Sequence, residues 1–198
     1  MLQVMKQASP VLLPILRSGF QGEFLAWLFL HPEREFSLTE LAERFGVSRS
    51  TVMREANHFV AAGLVDERRQ GNLRFVRART DTVVAGPLAE LLAVTYGPTA
   101  VLGELLALVP GVEEAYVYGS WAARYRGQGG DVPRDVDVLV VGDADEDDLF
   151  DAARSAERVL GREVNIRRVS SQAWQEPGSD RFLSSLRSRP LVRLELSA

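Results

Sequence analysis

No cysteine occurs in the 198 residues, which excludes disulfides, thiolate zinc sites and thiol catalysis together. Lysine is almost missing as well: of 23 basic side chains only Lys6 is a lysine, which resembles the codon bias of a GC-rich genome, and no function is drawn from it. Histidine occurs twice, as His31 and His58, each without companions, and neither is assigned a role. Long apolar runs are lacking. The most apolar later segment, Pro87 to Val109, is interrupted by Glu90, Gly97-Pro98 and Glu104, short of the roughly 20 unbroken residues that a bilayer span needs. Early in the chain Lys6 stands alone and Pro10 and Pro14 break the apolar stretch, so no signal peptide is expected. These absences predict a soluble, cytoplasmic chain with no membrane partner.

An excess of positive charge is also lacking. Twenty-three Lys+Arg stand against 27 Asp+Glu, a net charge of −4, which excludes a uniformly basic coat for nucleic acid. The charge is unevenly placed: residues 1–82 hold 11 basic and 9 acidic side chains, residues 83–198 hold 12 and 18. With 46% hydrophobic and 25% charged residues the chain has a globular balance. Its length suits one large or two small domains, and the uneven charge points to two domains with different partners. The expected organisation is a first domain over 1–82, connecting helices over 83–110, and a second domain over 111–198.

The first domain is written in local signals. Phe24, Leu25, Trp27, Leu28 and Phe29 predict a helix that stops near His31-Pro32. Ser37-Leu-Thr-Glu40 is a capping box, and Leu38, Leu41, Ala42 and Phe45 recur behind it at helical spacing. Gly46 stops that helix. Ser48 caps a third one running to about Ala62, with Gly63 as its stop. On this third helix Val52, Ala56, Phe59 and Val60 make the inward face, and Arg49, Ser50, Met53, Arg54 and Asn57 the opposite one. Two strand-like runs, Leu64–Arg69 and Leu73–Arg79, meet at the turn Gln70-Gly71-Asn72.

Helix, short helix, tight turn, helix and hairpin is the order of a winged helix-turn-helix. The stretch from Leu38 to Val52 resembles bacterial winged-helix regulators of the ArsR/MarR type. Residues 47–79 hold 7 basic and 3 acidic side chains, a local charge of +4. The resemblance implies double-stranded DNA as partner, with Arg49, Ser50, Arg54 and Asn57 reading the major groove. Arg68, Arg69, Arg74 and Arg77 on the hairpin suit the neighbouring backbone or minor groove. A winged helix used only for dimerisation or protein docking is the alternative. Leucines at 88, 91, 92, 102, 105, 106 and 108 make the connecting helices apolar. They fit packing onto the following sheet, and a homodimer interface is the second option.

The second domain carries a different signature. Glu114-Ala-Tyr-Val-Tyr118 reads as a strand that delivers the chain into Gly119-Ser120 and a short helix from Trp121 to Tyr125. A loop over 127–133 leads to Arg134 and then a second strand, Asp135 to Val141. Asp135 and Asp137 are two apart, so both project from one face, with Val136, Val138 and Val140 on the other. Side-by-side carboxylates repel, and a cation or a shared proton relieves them. A helix follows from Asp145 to Leu160, with Leu149, Phe150, Ala153, Ala156, Val159 and Leu160 inward. The third strand is Arg162 to Val169. Beyond it lie a helix capped by Ser170-Ser171, a helix holding Phe182, Leu183 and Leu186, and a closing strand Leu191–Leu196.

Gly119-Ser120 followed by Asp135-Val-Asp137 resembles the nucleotidyltransferase superfamily with the polymerase-β-like fold. The resemblance implies an α+β chain whose second half is an α/β domain with a small mixed sheet. It further implies that Gly119 and Ser120 hold nucleotide phosphate, and that Asp135 and Asp137 hold Mg²⁺ or Mn²⁺ beside a nucleoside triphosphate. Members of that superfamily carry a third carboxylate on the third strand, whereas this register holds Asn165, which accepts no proton. Glu163, two residues earlier on the same face, is the substitute. Arg134 stands where Ser usually precedes the first Asp. The joined motifs Gly119-Ser-Trp-Ala-Ala-Arg-Tyr125 and Gly161-Arg-Glu-Val-Asn165 resemble actinobacterial-type chains that fuse a winged helix to such a domain. Trp121 and Trp174 fit core packing better than base stacking. The expected function is a DNA-binding transcriptional regulator whose second domain binds nucleotide and metal with weak or no catalysis. The alternatives are an active nucleotidyltransferase recruited through its winged helix, and one half of a toxin–antitoxin-like pair.

Overall fold

The computed structural model describes residues 16–128, 132–178 and 180–196. Lys6, Pro10, Pro14 and the middle of the 127–133 loop lie outside the described residues. The chain divides into two compact units, Met1–Tyr96 and Gly97–Ala198. The helices expected as one connecting pair fall on either side of that division. Among the described residues no helix is long and apolar enough to cross a membrane.

The first unit is built around α1 (Gly19–Leu30), capped by the Ser18 side chain on the Gln21 amide. Every residue from Phe24 to Leu30 is buried, because the helix is apolar all round and its neighbours enclose it. Phe24 meets Phe20, Phe45 and Phe59 at ring separations of 5.6, 6.2 and 5.3 Å. Burying such a ring contributes about 1.5–3 kcal/mol. After the two-residue strand β1 (Phe36–Ser37) comes α2 (Leu38–Phe45), whose cap is half of the expected box. Ser37 Oγ accepts from the Glu40 amide at 3.1 Å, but the Glu40 carboxylate turns to Arg34 at 3.6 Å. Gly46, with φ 62°, ends α2, and α3 (Arg49–Ala61) starts from Ser48.

Val52, Ala56 and Phe59 are buried on α3, whereas Val60 is only half-buried, and Glu55 takes a buried position that no local sequence signal marks. Glu55 is tolerated there because Gln21, Arg54 and His58 reach its carboxylate at 3.3–3.4 Å. The hairpin β2 (Val65–Gln70) and β3 (Leu73–Ala78) pairs in register from Val65↔Ala78 to Gln70↔Leu73, and β1 adds to the outer side of β3. Helix α4 (Ala85–Tyr96) packs on α1 and closes the unit. Leu91 stays 46% exposed on it.

The second unit opens with α5 (Pro98–Leu106), which starts on Pro98 and ends before the exposed Leu108. The chain then runs β4 (Val112–Tyr118), α6 (Gly119–Tyr125), β5 (Asp135–Gly142), α7 (Glu146–Leu160) and β6 (Glu163–Val169). It ends with α8 (Ser171–Gln175), α9 (Arg181–Arg187) and the two-residue β7 (Val192–Arg193). The closing strand expected over 191–196 is therefore shorter. The sheet order is β6-β5-β4-β7: β4 runs antiparallel to both β5 and β7, and β6 runs parallel to β5 after the α7 crossover. This is a small mixed sheet.

Helices α5 and α7 pack on each other, α5 also meeting β4 and α7 also meeting β6. Leu139 and Val141 lie in a cluster with Leu183 and Leu186 of α9, against Tyr116, Tyr118, Trp174 and Phe182. Two positions on α7 depart from expectation. Phe150 is 62% and Val159 49% exposed, because the inward arc of α7 is Leu149, Ala152, Ala153, Ala156 and Leu160. A residue one step on from such an arc is rotated by about 100° and leaves it. Trp121 is buried, and Trp174 packs 5.3 Å from Tyr116 with Arg187 over its ring, so both tryptophans serve packing.

Candidate nucleic-acid interface and carboxylate site

Ser48 starts α3 by accepting from the Thr51 amide at 3.2 Å, and its hydroxyl also meets Ser50 at 2.8 Å. The helix that follows exposes Arg49, Ser50, Met53, Arg54 and Asn57 on one side, as expected. A groove between this face and the hairpin tip is lined by Arg49, Ser50, Met53, Arg69, Leu73 and Arg74, among others.

Ion pairs sort the arginines. Arg68 donates to Glu35 at 2.8 and 3.1 Å, which holds that carboxylate below its ordinary range through the hydrogen bond first. Arg74 binds Glu67 and donates to Asn57 Oδ1 at 2.6 Å, clamping the hairpin to α3. Arg77 and Arg79 share Asp66 at 3.7 and 2.7 Å. Arg54 lies 3.3 Å from Glu55. Among the described residues Arg49 and Arg69 are the two arginines of this surface with no carboxylate partner, and both line the groove. Of the residues expected to contact DNA, Arg54, Asn57, Arg68, Arg74 and Arg77 are thus also engaged within the fold. Met53 and Leu73 add apolar surface, 47% and 46% exposed, so the rim of the groove is not purely polar.

In the second unit Asp135 and Asp137 stand half-buried on one face of β5, with Val136, Val138 and Val140 buried on the other. The parallel register sets Asp135 opposite Glu163 and Asp137 opposite Asn165. On the other side Tyr118 pairs with Asp137, and the chain turns at Gly119 with φ +69°. A Cβ built on Gly119 would lie 2.7 Å from Asp137 Oδ2. Only glycine lets the backbone come this close to the carboxylate while holding a left-handed φ. Ser120 is exposed beside it.

Burial pushes the Asp137 carboxyl above its ordinary value, the Asp135 charge pushes the same way, and a hydrogen bond from Asn165 opposes both. Tyr118 is likewise raised, by burial first and then by Asp137, while Arg167 pulls it down. Neither Tyr118 nor Arg167 carries a motif that marks it in the sequence. Register with Asp137 is the signal that finds Tyr118, and the same-face spacing from Asn165 finds Arg167. Among the described residues no group of three or more Asp, Glu, His or Cys side chains is placed to hold a metal ion.

Comparison with known proteins bears on the first unit. Residues 21–72 match the model of the MarR family. Reduced HlyU from Vibrio cholerae N16961 is a structural match at 22% identity, covering 39% of this chain and 77% of that one, with a TM-score of 0.34. No curated protein matches the sequence. The matched segment runs from α1 to the turn between β2 and β3, so this chain carries a MarR-family winged-helix domain at residues 21–72.

Proposed function

We propose that the protein is a DNA-binding transcriptional regulator whose second unit holds a metal–nucleotide ligand with little or no turnover. The observation that carries the first part is the pairing pattern of the arginines. Most arginines of the winged helix are satisfied inside the fold, and Arg49 on α3 and Arg69 on the hairpin are left open on one groove. A cation with no internal partner gains most from a phosphate oxygen or a guanine edge. The MarR-family match over the same elements supports duplex DNA as that partner. Selection of bound duplexes from a random pool by the full chain tests it. Enrichment of a defined site, lost when Arg49 and Arg69 are both replaced by alanine, supports the reading. A pool that stays random overturns it.

For the second unit, the resemblance to polymerase-β-like nucleotidyltransferases rests on Gly119-Ser120 and Asp135-Val-Asp137. The close approach of the Gly119 backbone to Asp137 and the raised Asp137 carboxyl suit a cation shared with phosphate oxygens. Two carboxylates leave coordination positions for those oxygens. Asp135 and Asp137 would hold the ion, which when bound would neutralise phosphate charge, and Gly119 and Ser120 would face the phosphates. Asn165 orients Asp137 by donating to it, and has no lone-pair base to offer an attacking hydroxyl. Glu163 sits exposed across from Asp135. Binding without efficient transfer is the outcome this set supports, and titration calorimetry tests it.

A further inference from the structure

Arg74 is withdrawn from water, its side chain only 13% exposed, whereas Arg49, Arg54, Arg68 and Arg69 are exposed. Its guanidinium is used twice. One terminal nitrogen binds the Glu67 carboxylate, and the other donates to Asn57 Oδ1 at 2.6 Å. Register sets Arg74 directly opposite Arg69 on the hairpin, and like charges so opposed repel. Glu67, two residues before Arg69 on the same face, takes one nitrogen of Arg74 and leaves the other for α3.

Arginine carries donors only, so the atom it meets on Asn57 is the amide oxygen. The amide cannot turn over without setting two donors face to face. Asn57 itself is exposed on α3, one turn beyond Met53 and two beyond Arg49 on the face expected to enter the major groove. The atom left for a partner outside the fold is Nδ2, with its two N–H donors. We propose that the chain Glu67–Arg74–Asn57 presets Asn57 as a donor that selects guanine over adenine at one position of the bound duplex. This rests on the DNA-binding reading above.

The usual asparagine contact is bidentate to adenine, the oxygen accepting from N6 and the nitrogen donating to N7. Here the oxygen already faces a cation, and an adenine N6 amino group brought to it would meet the Arg74 donors. Guanine offers N7 and O6 side by side, both acceptors. That pair suits an NH2 group and brings no donor to the occupied oxygen. Thymine offers one acceptor, O4, where guanine offers two, and cytosine presents a donor. Arg74, expected from its place on the hairpin to meet the DNA backbone or minor groove, acts here as a positioning residue for Asn57.

Selection of duplexes from a random pool by the full chain and its variants tests this. In the site enriched by the natural protein, the position whose preference disappears in Asn57→Ala should be guanine. Arg74→Met removes the donors while filling similar space, and frees the amide to turn over. It should move the preference at that position alone from guanine to adenine, by at least about fivefold. Preference is a ratio between bases at one position, so an overall loss of affinity from the removed charge does not imitate it. Asn57→Asp has nearly the same shape and strengthens the bond to Arg74, which keeps a folded test available if Arg74→Met does not fold. It presents an oxygen outward in place of the donor, and should exchange guanine for cytosine, whose N4 donates. Circular dichroism on heating checks that each variant is folded. Four results would each overturn the proposal and leave the DNA reading intact: no position that responds to Asn57→Ala, adenine at that position in the natural site, a folded Arg74→Met variant that keeps guanine, or an Asn57→Asp variant that keeps it. A pool that stays random for the natural protein overturns both.

Discussion

Replacing Gly119 by alanine perturbs the second unit at the point where its backbone meets the carboxylate pair. Two separate costs follow from the geometry. An L-residue held at φ +69° carries about 1–2 kcal/mol of left-handed strain. The added methyl then stands 2.7 Å from Asp137 Oδ2, closer than a Cβ contact allows, so the half-buried carboxylate must shift. Displacing a half-buried carboxylate by several tenths of an ångström adds about 1 kcal/mol on the scale of core overpacking. A total of about 2–3 kcal/mol is expected for the unit. A natural control isolates the second cost: Gly127 has φ +79° with nothing within 4 Å of a built Cβ, so Gly127→Ala carries strain alone. Urea unfolding of both variants, followed by circular dichroism with attention to separate transitions of the two units, should place Gly119→Ala about 1 kcal/mol or more below Gly127→Ala. Equal losses, or a Gly119→Ala loss under about 0.5 kcal/mol, would refute the close approach.

Two further predictions concern the same carboxylates. Because Asp137 is raised above its ordinary value in the folded protein, the folded state holds more protons than the unfolded one between the ordinary carboxylate value of about 3.9 and the raised one. Stability then falls as pH rises through that window. Asp137→Asn should therefore be the more stable protein at neutral pH and lose that advantage below the window, and a natural protein as stable as the variant at pH 7 would contradict the electrostatic account. In calorimetry a nucleoside triphosphate should bind more tightly with Mg²⁺ than without it in the natural protein, and indifferently to Mg²⁺ in the Asp135→Asn, Asp137→Asn variant; equal behaviour of the two proteins would make the pair a solvated strand end.

The sequence-legible part of the fold is the part written in neighbours. Ser37, Gly46 and Ser48 mark helix ends through residues three or four positions away, and Asp135 and Asp137 share a face because strands alternate. What is not legible depends on distance along the chain. Arg68 finds Glu35 across 33 residues and Arg74 finds Asn57 across 17, so which arginines remain open for DNA emerges only in the folded unit. Periodicity also has a width it does not state: Phe150 and Val159 satisfy a loose helical pattern, yet alanines at 152, 153 and 156 already fill the buried arc. Glu55 is unreadable for the opposite reason, since a charged residue on a buried face looks like an exposed one until Gln21, Arg54 and His58 close on it.

The central claim, that the winged helix engages duplex DNA through Arg49 and Arg69, is tested most directly by salt dependence. Binding of the full chain to a selected duplex, measured by fluorescence anisotropy across ionic strengths, should give a linear fall of log K with log salt. Each phosphate contact contributes about 0.9 to that slope, so the Arg49→Ala, Arg69→Ala protein should show a slope smaller by about 2 together with weaker binding. An unchanged slope and affinity in the double variant would contradict the account.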